Sequence, residues 1–195
     1  MRLLSKTLLH SLCFVVFCAA LMAFAPAARA EGVDRAVEYR IKAAYLFNFT
    51  KFIDWPPAAY AGPDTKFVIG VIDPAGSAAD VVQETLRNKV TPSGRPIEVR
   101  RFTALTPEVA DCHQLFVTRA SGITPTAVRS VVGDAPVLVI GETDGFAEQG
   151  GVIGFVVSGD GVHCDVNLAG AQRAGVKLSG RFASVARLVR ENIRR

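Results

Sequence analysis

Two short pairs, Cys112-His113 and His163-Cys164, hold the residue types that bind transition metals or carry nucleophilic catalysis. All four fall in stretches of strand character, where neighbouring side chains point to opposite faces. Convergence on one zinc ion would need a bulge in each strand, and neither CxxC nor HxxxH spacing supports it. A Cys–His dyad stays open, because such partners meet in space rather than in sequence. No serine sits in a GxSxG elbow. Asp111, Glu142, Asp144 and Asp165 are read as solvated acids of loops and strand edges. Gly141, Gly145, Gly150, Gly151 and Gly154 make no GxGxxG opening a helix and no phosphate-binding lysine motif. The turn ending at Ser77 could offer helix amides to an anion, but an ordinary helix cap is the simpler reading. No catalytic, metal or cofactor site is expected, and the chain reads as a non-enzyme.

The positions of these groups depend on elements legible in the hydropathy pattern. The most prominent is Tyr39 to Pro57, YRIKAAYLFNFTKFIDWPP. As a helix it gathers Val37, Ile41, Ala44, Tyr45, Phe49, Phe52 and Ile53 on one face, with Asn48 in the middle of that face. Trp55-Pro56-Pro57 ends it, because a residue preceding proline is pushed out of the helical region. KFVIGVI (66–72) is a near-continuous apolar run, as in a strand buried on both faces. A helix from Ser77 to about Lys89 follows, then an alternating strand at 97–102 and an apolar strand within 112–118. A helix at 124–132 with Pro125 at its first position precedes a strand at 136–140. This alternation predicts a mostly parallel, twisted sheet in one compact α/β domain with helices on both faces.

The pattern changes after Gly145 to Gly151. Segments 152–157 and 162–168 flank Ser158-Gly159-Asp160-Gly161, the signature of an antiparallel hairpin at one edge of the sheet. Helix is expected from Ala169 to Ala174 and again from Ser179 to about Ile193, with Phe182, Val185, Ala186 and Val189 facing the core.

The first thirty residues read as a secretory signal. Arg2 and Lys6 precede an apolar run of 14 residues, Leu12 to Ala25, with cleavage expected between Ala30 and Glu31. The run is shorter than the roughly 20 residues a membrane span requires. The domain proper is 31–195. Without the signal, 19 basic residues face 18 acidic ones, so the high overall isoelectric point does not argue for nucleic-acid binding. Two cysteines then remain, Cys112 and Cys164, in an oxidising compartment. Bridged, they would close a long loop; unbridged, they would serve as small buried hydrophobes.

Four segments in order, KAAYLFNFTKFIDWP, DCHQLFVTR, DAPVLVIGETDGFAEQGGVIGFV and VHCDVNLAGAQRAGVKLSGRFASVARLVR, resemble the YfiR family of secreted bacterial proteins, from about Ala36 to Val189. The motif positions are Tyr45, Asn48, Phe49, Phe52, Trp55, Pro56, Gly145, Phe146, Gly150, Gly151, Asn167, Leu168 and Gly175. The resemblance implies a periplasmic α/β domain without catalytic activity, which binds the periplasmic sensor domain of an inner-membrane diguanylate cyclase and holds it inactive. It also implies control of cyclic di-GMP and biofilm, a homodimer, and sequestration by an outer-membrane lipoprotein. In the family, cysteine state tunes stability. Cys112 matches a family cysteine, but the strand that would hold its partner has none here, and Cys164 stands where an aromatic is usual.

By motif position and expected exposure, the candidate contact residues are Phe155 and Asp165 on the hairpin and Phe146 and Glu148 in the glycine-rich loop. The alternative is a small-ligand-binding or accessory protein feeding a sensor kinase. Its ligand would lie at the carboxyl ends of the parallel strands, lined by Asn48, Trp55 and Tyr60.

Overall fold

The computed structural model describes residues 25–159 and 161–192, with helix side chains from Arg35 onward. The basic start and nearly all of the apolar run of the expected signal lie outside these residues, and the Ala30–Glu31 junction lies in helical backbone. The chain divides into two units, Met1–Val37 and Glu38–Arg195, and the architecture below is that of the second.

Helix α1 (Ala25–Phe52) runs into strand β1 (Ile53–Asp54). Strand β2 (Phe67–Ile72), helix α2 (Ser77–Leu86) and strand β3 (Ile97–Phe102) follow. After them come β4 (Gln114–Val117), α3 (Pro125–Val132) and β5 (Leu138–Gly141). The hairpin is β6 (Ile153–Ser158) and β7 (Gly161–Val166). The chain continues through α4 (Leu168–Arg173), β8 (Lys177–Leu178), α5 (Gly180–Ala183) and β9 (Arg187–Leu188). The main sheet has seven strands in the order β3-β2-β4-β5-β6-β7-β9, all neighbours parallel except the β6–β7 hairpin. A small antiparallel pair, β1 with β8, ties the end of α1 to the C-terminal region.

The period of two divides the core between the faces of the sheet. Phe67, Ile69, Val71, Phe116, Leu138 and Ile140 pack against α1 and α2, whereas Ile72, Leu115, Val117 and Val139 pack against α3 and Phe146. Helices therefore cover both faces, as the apolar runs of β2, β4 and β5 require.

Four local expectations are corrected. First, α1 is rotated: Tyr39, Lys42, Ala43, Leu46, Phe49 and Ile53 are buried, while Val37 and Ile41 are exposed. Asn48 lies half-buried beside this face and accepts a hydrogen bond from Lys51 (3.0 Å). Second, α2 is not capped by Ser77. The buried carboxylate of Asp73 accepts from the amides of Ala78 (2.8 Å) and Ala79 (3.1 Å), and so fills the place an anion would take. Third, the C-terminal helix stops at Ala183, although Ser179 does cap it by accepting from the Phe182 amide. The chain then pairs as β9 with β7, and the Arg187 guanidinium forks onto both oxygens of Asp165. A buried carboxylate requires a partner, and that requirement outweighs the helical period of the segment. Val185 is consequently exposed rather than in the core. Fourth, Phe146 is not a surface residue of its loop but a buried wedge.

The wedge explains the glycines around it. Cβ atoms added to Gly141 and Gly151 would sit 2.3 Å and 2.4 Å from the Phe146 ring. Asn167 then staples the loop to α4, donating to the carbonyls of Ala147 (3.0 Å) and Gly151 (3.2 Å) and accepting from the Gly170 amide (3.0 Å). Thermal or denaturant melts of Gly151→Ala should show a loss of about 1–3 kcal/mol through overpacking against this ring. Gly159→Ala, where nothing lies within 4 Å, should melt close to the parent.

Candidate functional site

Among the contact candidates, Phe155 and Asp165 are buried along with Phe146, and Glu148 is half-buried. The strand period explains Phe155, whose ring packs against Tyr45, Phe49 and Phe116 at centroid distances of 5.8, 6.2 and 5.7 Å. It is core. Asp165 is covered by Arg187.

What lies open at this end of the sheet is a groove of about 450 Å³ between α1, the hairpin and the C-terminal segment. Tyr45 and Phe182 form its aromatic walls, Val156 and Val185 add apolar surface, and His163 and the Asp165–Arg187 pair supply polarity. Tyr45 is anchored by donating to the Val162 carbonyl (2.9 Å), and burial raises its phenol pKa. Val157, Val185 and Leu188 are exposed, each by half or more of its surface. The sheet ends in β9, whose pairing covers two residues of β7.

A second polar cluster lies at the carboxyl end of β5. The Glu142 carboxylate accepts from Lys42, from the Tyr39 hydroxyl (3.2 Å) and from the Arg119 amide (2.8 Å). Lys42 also pairs with Glu38, and Arg119 with Asp144 (3.0 Å). Burial and the neighbouring Glu142 raise the Tyr39 pKa well above its usual value. Sequence reasoning took Glu142 as solvated and did not single out Lys42. The one available signal was a lysine within the apolar stretch of a core helix.

Trp55 and Tyr60 do not reach the carboxyl ends of the strands. They stand at the amino ends of β2 and β4 in a pile of rings: Arg95 over Tyr60 (4.0 Å), Tyr60 on His113 (4.9 Å), His113 on Phe67 (4.7 Å) and Phe67 against Trp55 (4.8 Å). His113 Nδ1 accepts from the Val68 amide (3.0 Å), so the ring proton sits on Nε2. Trp55 Nε1 donates to the His113 carbonyl (2.9 Å). Cys112 faces the other way, towards Gly70 and Leu115. Cys112 and Cys164 are both free and buried. Burial pushes each thiol up to about 12, which removes the thiolate a nucleophile needs. Among the described residues no group of three or more potential ligands could hold a metal ion. No helix among them is long and apolar enough to cross a membrane.

Comparison with known proteins gives a family match described as YfiR/HmsC-like, over residues 39–187. No curated protein matches the chain. Among solved structures, the ABC domain in complex with L-Trp from Streptococcus pneumonia matches at 14% identity and a TM-score of 0.48, over 65% of this chain and 57% of that one. A conserved domain protein from Vibrio cholerae matches at 12% and 0.47, over 65% and 55%. The chain thus spans less than two thirds of either structure.

Two outcomes are expected from the buried groups. Burial, then the positive charges of Arg95 and Arg100, lower the His113 pKa below its ordinary 6.5. The neutral ring therefore contributes stability that is complete above about pH 6.5 and is lost as pH falls through the folded-state value. Urea melts at stepped pH should show this loss, and His113→Gln should flatten that part of the profile. A thiol reagent at about pH 8 should label neither cysteine in the native protein and both after denaturation.

Proposed function

The chain belongs to the YfiR/HmsC-like family, and on that premise we propose that it regulates an inner-membrane signalling enzyme from the periplasm by protein–protein binding. The family is a periplasmic, regulatory and non-catalytic one. The partner we assign is the periplasmic sensor domain of a diguanylate cyclase, held in its inactive state. The observation that carries the choice of surface is an open groove lined by the exposed Val185, with the exposed Val157 and Leu188 next in the chain to its lining residues Val156 and Arg187. Exposed aliphatic residues gathered beside a groove are a feature of docking surfaces. The contact moves from Phe155, Asp165 and Phe146, which are buried, to the residues around them.

Repression is then a shift of populations, in which the chain binds the inactive cyclase more tightly by about 1.4 kcal/mol for each tenfold bias. A homodimer and an outer-membrane lipoprotein that sequesters the chain would complete the circuit, with control of biofilm as its output. The groove's volume also favours a second reading, a small periplasmic ligand feeding a sensor kinase, because pockets of about 300–1,000 Å³ suit such ligands.

Deleting the gene should raise cellular cyclic di-GMP, and complementation with Val157→Glu or Val185→Glu should fail to lower it although both variants melt normally. Unchanged cyclic di-GMP on deletion would reject cyclase repression. A rise in melting temperature with a periplasmic metabolite, lost in Tyr45→Ala, would favour the small-ligand reading.

A further inference from the structure

The last described residues form a strap across the end of the sheet. Arg187 and Leu188 pair in parallel with Asp165 and Val166. The Val189 amide donates to the Val166 carbonyl (2.9 Å), and the Asn192 amide to the Glu148 carbonyl (2.8 Å). Between these points the Glu191 carboxylate lodges against two guanidinium groups from different helices. Arg173 of α4 donates to it directly, and Arg129 of α3 stands 3.8 Å away.

The Glu191 carboxylate stands beside a shaped hollow, against its lining residues Arg129, Arg173 and Gly150. Arg129 and Arg173 line the hollow with Gly150, Gly170, Ala135 and Val139. Gly150 has φ +109, and a Cβ there would stand 3.2 Å from a Glu191 oxygen. The glycine leaves room for a carboxylate as well as for its own backbone. Glu191 itself is only 16% exposed at its side chain. The rest of the strap is held by the fork of Arg187 on the buried Asp165 and by backbone pairing. Arg187 and Leu188 are exposed, so backbone pairing and ion pairs hold the segment with little apolar burial. With few apolar contacts, such a segment is open to exchange for another that offers the same charges to Asp165, Arg129 and Arg173.

We propose that residues 187–192 are a displaceable strap, occupying in cis a docking site for an extended partner segment whose cationic side chain takes the place of Arg187 on Asp165 and whose carboxylate side chain, four residues on, is read by Arg129 and Arg173. The partner segment adds a parallel strand to β7, the mode of recognition that an exposed sheet edge offers. Charge complementarity selects the acid, since two guanidinium groups converge on one carboxylate. The strap covers two of the six residues of β7, so a longer segment has further edge to pair with, the Val162 carbonyl already accepting from Tyr45. Exchange of straps between two copies would re-form the same short contacts without that gain, which favours a different protein as occupant. The inference deepens the regulatory reading and rests on it: the strap lowers affinity for the partner by the fraction of time it fills the site.

The test uses the full chain and a labelled peptide copying Val185–Asn192 (VARLVREN) as probe. The Glu191→Gln chain should bind the peptide at least about fivefold tighter than the parent chain, because its own strap competes less well. Arg129→Gln and Arg173→Gln, singly and together, should weaken binding to the Glu191→Gln chain, as should a peptide with glutamine in place of its glutamate. Equal binding of the two peptides would overturn recognition of the acid. Equal, absent binding to both chains would overturn the site. Conversion of the Glu191→Gln chain to a dimer that ignores the peptide would make a second copy the occupant and overturn the proposal. Cyclic di-GMP separates the two levels. If gene deletion raises it while the Arg129→Gln/Arg173→Gln chain, melting normally, represses fully, the strap inference fails and the regulatory reading stands. If deletion changes nothing, the regulatory reading fails whatever the peptide does.

Discussion

A lysine ammonium with almost no solvent exposure determines how this domain is put together. Lys42 lies on the sheet-facing side of α1, and its charge is tolerated there because Glu142 and Glu38 pair with it. Removing one member of such a pair costs about 3–5 kcal/mol, since the other is left buried and uncompensated. The helix therefore has one acceptable rotation and one acceptable height on the sheet. Glu142 stands at the carboxyl end of β5, where the Arg119 amide and Tyr39 hydroxyl use its remaining capacity. Through this group α1, β5 and the turn after β4 are set relative to one another. Leu46, Phe49 and Ile53 then meet the sheet in the places that the Lys42 contact allows.

The two ends of the sheet are managed differently. At the β3 edge, Glu98 pairs with Lys66 and Arg100 and presents charge to solvent, a common protection of an unpaired edge. At the other end the edge is covered by the chain itself, through two residues of β9 and the Arg187–Asp165 fork. That covering is short, its side chains are exposed, and aliphatic residues surround it. An interaction surface placed here has a rigid support, because Phe155 behind it is locked among Tyr45, Phe49 and Phe116. Rigid backing and a short, exposed covering are compatible with a protein that acts by binding.

The motif residues divide along the same line. Trp55, Phe146, Gly151 and Asn167 are explained by packing and hydrogen bonding, and none of them presents a group for chemistry. Leu168 differs in being exposed. Positions of this kind specify the architecture of the domain rather than a reactive site.

The amino-acid sequence by itself determined the class of the fold. Continuous apolar runs at β2, β4 and β5 admit only strands covered on both sides, and their alternation with helical periods implies parallel crossovers. The hairpin was legible from its turn residues, and the aromatic stretch at 39–57 from its spacing. Tertiary structure decided the rotation of α1, because Lys42 reads as polar until Glu142, about a hundred residues away, is in place. It decided the end of the chain as well. RFASVARLVR carries a helical period, and only the buried Asp165 shows why Arg187 leaves the helix to pair as a strand. Local pattern encodes what a segment prefers, whereas the desolvation of a buried charge depends on a partner that only the folded chain supplies.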